Sequence, residues 1–431
     1  MNYAHLLRRN PEYTKLWFAG VVSYTGDWFN TIVLLGLVNE FSEGSGLAIS
    51  IFLTLRVLPP LLVAPITGVL LDRFNRKHLL VASNLLRALI VPFFLLAQSP
   101  DTLWIIYIVT IAQFILSALF EPGQTAIIPA LVLPADIVEG NTLLSITWSV
   151  MLALGAIIGG LFAYYFGATA ALLADAATFA VAGLLIAWIE YDPEQGRKLA
   201  KAIGVDPSQK EDTSFMEGLR YVQHTPQMAA TLFVKFGQSF GSMDTLLTVF
   251  ATQLFVIGAR GEISQALLWS ALGFGALVGP LLTNLLNNGS VQRMRRLIGV
   301  GYVLLLLRWI ILGWANSLFF IGIACFIGAM GGSINWTYSN IIIQKTAPDE
   351  KLGRMFSIDW IGFNLSMLAG TMIHGSMLDL FGTVHLDWII HGTLVASVIP
   401  VLIWVWMVWK LENLELQTRE DAVCVSPVSG N

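Results

Sequence analysis

Charge is what this chain has least of. Of its 431 residues, 12% are Asp, Glu, Lys or Arg and 56% are hydrophobic. Soluble domains carry about 25% charged residues, so a water-soluble globule is excluded and lipid must be the main solvent. Cysteine is nearly absent: the two present, Cys325 in an apolar run and Cys424 near the end, exclude a disulfide framework and a zinc site. No histidines and carboxylates share metal-ligand spacing, and no Gly-x-Ser-x-Gly turn or phosphate loop occurs. Enzyme chemistry and a bound cofactor or metal are therefore not expected. A net charge of -4 gives no reason to expect nucleic acid. Alternation of period two in ten-residue segments is missing, which excludes a membrane β-barrel. Segment 1–15 is polar and basic, with Arg8 and Arg9, but no small-residue cleavage site follows. The first apolar run is expected to be retained as a span, not removed as a signal peptide.

What the chain does have is long apolar runs. Twelve are long enough to cross a bilayer, near 14–39, 47–71, 78–98, 102–121, 141–166, 168–190, 227–256, 263–287, 294–314, 316–344, 355–379 and 384–410. Backbone groups cannot stay unpaired in lipid, so the runs must be helices. The expected fold is an all-α integral membrane protein of twelve transmembrane helices. The only long polar stretch, around 191–227, contains Pro193 and Pro207 and reads as a linker, with a short surface helix over 214–224. The expected organisation is one six-helix half over 1–190, a linker over 191–226, a second half over 227–411 and a polar, disordered tail over 412–431.

The two halves repeat each other. Asp27 and Asp244, Arg76-Lys77 and Arg295-Arg296, Leu-Leu-Arg87 and Leu-Leu-Arg308, and Pro134-Ala-Asp136 and Pro348-Asp349-Glu350 match at offsets of 214 to 221 residues. Two pseudo-symmetric six-helix halves follow, an arrangement shared with transporters built of parallel repeats. Positive charge sets the orientation. Nineteen of the 24 Lys and Arg lie on one side of the spans, four lie inside them, and only Arg260 lies on the other side. Both termini are thus expected in the cytoplasm of a bacterial inner membrane.

Ionisable groups inside spans are costly and normally face a cavity or a partner. Asp27 and Arg56 fall at similar depth and are expected to pair. Desolvation disfavours the charged carboxylate, whereas a nearby guanidinium favours it. Asp27 reads as a proton-coupling carboxylate or as half of a permanent structural pair. Lys235 and Asp244 are nine residues apart, about 13 Å along a helix, so they do not pair with each other, although either is placed to line a cavity. Arg87 and Arg308 are expected outside the cavity in structural roles. His374 and His391 read as core histidines. Trp28, Phe29, Trp148, Trp336, Tyr338 and Trp360 are candidates for an apolar cavity wall, although membrane tryptophans commonly anchor at interfaces.

One short stretch joins topology to motion. The sequence Gly68-Val-Leu-Leu-Asp72-Arg73-Phe-Asn-Arg76-Lys77 is a tight charged turn between spans two and three. It resembles the loop signature of the major facilitator superfamily. Asn10-Pro11, Gly26-Asp27-Trp28-Phe29, Phe120-Glu121-Pro122 and Gly353-Arg354 resemble its bacterial drug–proton antiporter branch, which includes macrolide efflux proteins and siderophore exporters. The resemblance covers nearly the whole chain. It implies a cytoplasmic gate at Gly68, Asp72, Arg73, Arg76 and Lys77. Glu121 is expected within reach of these arginines, and Asp359 across the halves. Gly155, Gly159 and Gly160 resemble an antiporter packing motif, except that Ala156 replaces its usual proline. Close helix packing is the expected role there, as for Gly275, Gly279, Gly328, Gly331 and Gly332. The expected function is proton-coupled export of an amphipathic small molecule by a monomer in the lipid bilayer. An importer, uniporter or lipid flippase of the same fold remains open, and a membrane-embedded enzyme or sensor is the alternative outside transport.

Overall fold

The computed structural model describes residues 3–191, 215–348 and 351–425. The fold is all-helical among these residues. A short helix, Tyr3–Arg9, leads into the first span, Pro11–Phe41. The Asn10 amide donates to Asp136 at 2.9 Å and its carbonyl accepts from Leu133 N at 3.1 Å. The Asn10-Pro11 pair thus ties the start of span one to the turn before span five. The second span is Gly46–Arg73, capped by Ser45, whose hydroxyl accepts from Ala48 N at 3.1 Å. Pro59, Pro60 and Pro65 interrupt the backbone ladder of its second half. The third span runs Arg76–Ile90 and tightens into a 3-10 turn over Val91–Leu96; the fourth is Leu103–Ile127.

Nine helices are long and apolar enough to cross a membrane among the described residues. Twelve spans result once three features are recognised. The 51-residue helix Ile137–Ala187 is two spans, broken at Gly167, whose φ of 80° and ψ of 170° only glycine adopts readily. Span seven is too broken to qualify. It comprises Pro226–Ser239, a turn, Asp244–Val249 and a π-helical end, Phe250–Leu254. Span eleven, Leu352–Phe381, carries Arg354, Asp359 and Asp379, which lower its apolarity. The others are Glu262–Asn284, Val291–Gly313, Leu318–Thr346 and the helix beginning Leu386–Val425. This last helix corrects the expectation of a disordered tail. The sequence after Leu411 has no Gly or Pro before Pro427, so nothing local ends the helix. Most of the linker lies outside the described residues, but its end forms the helix Phe215–His224. That helix is tied to span eleven by Arg354 Nη1, which donates to Glu217 at 2.9 Å.

The core is asymmetric along the membrane normal. One cluster, from Phe29 and Val33 through Leu246 and Leu247 to Ile389, contains residues of both halves. At the face bearing the charged turn the halves have separate clusters. One joins Tyr13, Leu80, Phe120 and Ile186; others join Val234, Ile298 and Ile342, and Met228, Ile343 and Met355. The bundle is sealed at the face away from the turn and parted at the turn.

Candidate functional site

The seal consists of hydrogen bonds between halves. Asp379, at the end of span eleven, accepts from Ser45 Oγ and Gly46 N at 2.7 Å each and from Leu47 N at 3.3 Å. It therefore caps the amino terminus of span two from the other half, where two backbone N–H groups without helical partners favour an anion. Ser50 bonds to Thr245 and to the Thr371 carbonyl at 2.8 Å each. Gln253 Nε2 donates to Asn39 at 2.7 Å and to Gly44 O at 3.0 Å, and Arg260 pairs with Glu40. Gly46 and Gly375 leave no room for a Cβ there, whereas a Cβ at Gly68, Gly353 or Gly362 would meet nothing within 4 Å. Gly68, expected in the cytoplasmic gate, faces open space in this conformation.

Between seal and opening lies a cavity of about 210 Å³ in the first half. Asp27 of span one, Arg56 of span two, Arg87 of span three and Glu121 of span four line it, with Tyr24, Trp28, Phe114, Phe120 and Trp148. The pairing expected of Asp27 and Arg56 takes a looser form: they share the cavity, but no ion pair within 4.0 Å joins them among the described residues. Arg56 instead lies over the rings of Phe114, at 5.1 Å, and Phe52, at 5.9 Å. Arg87, expected outside the cavity, lines it. Its Nη2 donates to Asn84 at 2.9 Å, and its guanidinium lies 4.2 Å from the Phe179 ring and 5.0 Å from Phe120. Amphipathic spacing over 76–90 places Ser83, Asn84 and Arg87 on one buried face, a signal readable in the sequence.

Asp175 of span six is not among the sequence candidates, and it stands directly behind this cavity. It is wholly buried, and its Oδ2 accepts from Asn30 Nδ2 at 2.9 Å. Asn30 also donates to Gln113 at 3.2 Å. Its other oxygen has no partner, and Asp27, Arg87 and Arg56 are its charged neighbours. The Asn30–Gln113–Asp175 triad joins residues on spans one, four and six, a conjunction sequence periodicity does not reveal.

The second half differs from the first despite the repeat. Asp244 does not line the cavity. It opens the short helix after the break in span seven, with Arg308 and Arg56 as charged neighbours. The break frees backbone carbonyls that the surrounding spans must satisfy. Arg308 Nη2 donates to Gly241 O at 2.7 Å, and Ser366 Oγ donates to Phe236 O at 2.7 Å. Arg308 therefore holds the structural role expected of it. Lys235 pairs with Asp359, both nearly inaccessible, and donates to Asn340 at 2.7 Å. Its ammonium lies 4.0 Å from the Trp336 ring, which packs on Trp360 and Phe363.

Three further expectations are corrected. Asp359, expected at a gate across the halves, lies against Lys235 of its own half, where pairing offsets the cost of burying either charge alone. Glu121, expected against the arginines of the turn, faces the cavity instead, and Arg76 Nη1 donates to the Ala126 carbonyl at 2.7 Å. Arg73 is exposed, and the Asp72 side chain lies outside what the structure describes, as do Asp349 and Glu350 of the repeat. Gly332 meets no neighbour that a Cβ would strike. The other packing glycines are used: Gly155 and Gly159 admit Trp28 of span one, Gly160 meets Ala266 of span eight, and Gly275 and Gly279 meet span ten. His374 bonds to Thr393 at 2.9 Å in the core, as expected.

Two helical halves that are sealed at one face and parted at the other, with a charged cavity in the first half, define a membrane transporter. The model of the Major Facilitator Superfamily matches residues 16–358, and the chain belongs to that family. It is 24% identical over 411 residues to the uncharacterized MFS-type transporter YfiS of Bacillus subtilis, covering 91% of this chain and 93% of the relative. Macrolide efflux protein A of Streptococcus pyogenes is 24% identical over 404 residues, covering 90% and 94%. The fold matches that of nucleoside transporter NupG with a TM-score of 0.68 at 12% identity, over 92% of this chain and 98% of that one. It also matches a bacterial homolog of the human lysosomal transporter Spinster, in an inward-facing and unoccupied conformation, with a TM-score of 0.70 at 16% identity, over 93% and 97%.

Proposed function

We propose that the chain exports amphipathic small molecules in exchange for protons by alternating access, as a monomer in a bacterial inner membrane. The observation that carries the reading is the cavity at Asp27: a carboxylate in a membrane span that, among the described residues, no cation holds within 4.0 Å is free to exchange a proton. Segments 1–190 and 227–411 are the moving bodies, with 191–226 as their linker. The positive-charge asymmetry assigns the turn to the cytoplasm, and with it both termini. The parted face is then cytoplasmic and the conformation inward-open. Gly68, Asp72, Arg73, Arg76 and Lys77 form the gate that closes when the halves rock. Export takes support from the resemblance to macrolide efflux protein A. Ala156, in place of the antiporter motif's proline, favours a second reading as an importer or uniporter of the same fold.

The test uses purified protein in sealed vesicles with a pH-sensitive dye and an imposed pH gradient, to which amphipathic drugs, siderophores and lysolipids are added singly. The expected result is proton movement triggered by a transported compound. A labelled compound crossing with no proton movement overturns the coupling and selects the uniporter.

The outer seal makes a separate prediction. Asp379→Asn keeps the size of the cap but removes its charge, a change worth about 1 kcal/mol on the scale of an anion at a helix amino terminus. Spin labels at Glu43→Cys and Val384→Cys, in a Cys424→Ser background, report the outer gap. The population with a wide gap is expected to rise about fivefold. An unchanged distance distribution shows that Asp379 does not hold the seal.

A further inference from the structure

The cavity carries more charge than proton coupling uses. Asp27 and Glu121 are balanced by Arg56 and Arg87, one on each of the first four spans. In the second half Lys235 and Asp359 have found each other. Among the described residues, the side chains of Glu121 and Arg56 make neither a hydrogen bond nor an ion pair. Arg56 offers five N–H donors, yet its contacts are the ring faces of Phe114 and Phe52. Arg87, by contrast, is pinned by Asn84 and by the Phe179 ring, with Asp27 among its charged neighbours.

We propose that the cavity selects compact zwitterions, molecules with a protonated amine and a carboxylate on an aromatic or apolar body. This rests on the reading of the Asp27 cavity as the transport site. The assignment follows from elimination among charges. Glu121 is exposed and Arg56 half-buried in this inward-open form, and when the halves close over the site each ionised group loses water, a cost that a ligand of opposite charge recovers. A simple cation satisfies Glu121 and leaves Arg56 bare. A simple anion does the reverse. A zwitterion serves both, and leaves Asp27, beside Arg87, to the proton. The guanidinium fork of Arg56 matches a carboxylate with two parallel hydrogen bonds. Trp28, Trp148 and Tyr24 supply flat faces for an aromatic body and for the ammonium group. The volume of about 210 Å³ lies below the roughly 300–1,000 Å³ usual for drug-sized ligands, which fits a body of amino-acid to dipeptide size.

The test holds the body constant and changes only the charge. The probes are phenylalanyl-glycine, its amide, its N-acetyl derivative and the doubly blocked form. Binding to the purified full chain is read from quenching of tryptophan fluorescence, with no gradient present. Phenylalanyl-glycine is expected to bind about tenfold more tightly than either singly charged form. Arg56→Gln should bring it level with the amide, and Glu121→Gln level with the acetylated form. Equal binding of zwitterion and amide by the unaltered protein overturns the proposal, as does failure of all four to bind. The ligand series in the unaltered protein decides the matter even if a variant fails to fold. Because no proton gradient is used, loss of this preference leaves proton coupling standing, and zwitterion binding without proton movement in vesicles removes the coupling alone.

Discussion

Asp27→Asn is expected to abolish gradient-driven transport while leaving the protein inserted and folded. The side chain of Asp27 makes no hydrogen bond or ion pair among the described residues, so the amide forfeits no contact. The amide keeps the carboxylate's size and loses its ability to carry a proton. Coupled transport should therefore fall about a hundredfold or more, the scale on which removal of a proton-transferring group acts. Exchange of labelled for unlabelled compound across the same membrane needs no net proton movement and should continue. Thermal unfolding should be nearly unchanged. Undiminished gradient-driven transport by the variant would sink the assignment of Asp27. Loss of both driven transport and exchange, with folding intact, would make Asp27 a substrate contact instead.

The second large effect is one of stability. Asp359→Ala leaves the Lys235 ammonium buried with only Asn340 and the face of Trp336 as partners among the described residues. Breaking a buried pair by removing one member costs about 3–5 kcal/mol, whereas replacing both by well-packed apolar residues is often neutral. Thermal unfolding in detergent should show a marked fall in Tm for Asp359→Ala. The double variant Lys235→Met with Asp359→Leu should recover most of it. The pair joins the first part of broken span seven to span eleven, and Ser366 and Gly370 also meet span seven there. If the double variant is stable and still transports, the pair is structural. If the single variant unfolds at an unchanged Tm, the pair contributes nothing and the buried-charge argument fails.

Hydrophobic run length is enough to locate the spans, because every backbone polar group in lipid must be paired within its own helix. It succeeds even where composition alone misleads. Span seven and span eleven are too broken or too charged to qualify by apolarity, yet both are legible from position and repeat. The repeat also places Arg87 opposite Arg308. It does not reveal that one lines a cavity and the other satisfies a broken helix, since that break exists in only one half.

Length, charge asymmetry and internal repetition are properties of the chain read along itself, so twelve helices and the two-half plan are settled before any contact is known. The expected depth of Asp27 and Arg56 follows likewise, since rise per residue converts position into depth. Partnership does not. Lys235 and Asp359 are 124 residues apart and Asn30 and Asp175 are 145 apart, and a buried polar group takes whichever partner helix rotation brings to it. Rotation about the helix axis is decided by side-chain packing between neighbours, such as Gly155 and Gly159 admitting Trp28. For that reason Glu121 turns toward the cavity, Asp359 toward Lys235, and Asp379 across the seam to the start of span two, pairings that only three-dimensional packing could choose.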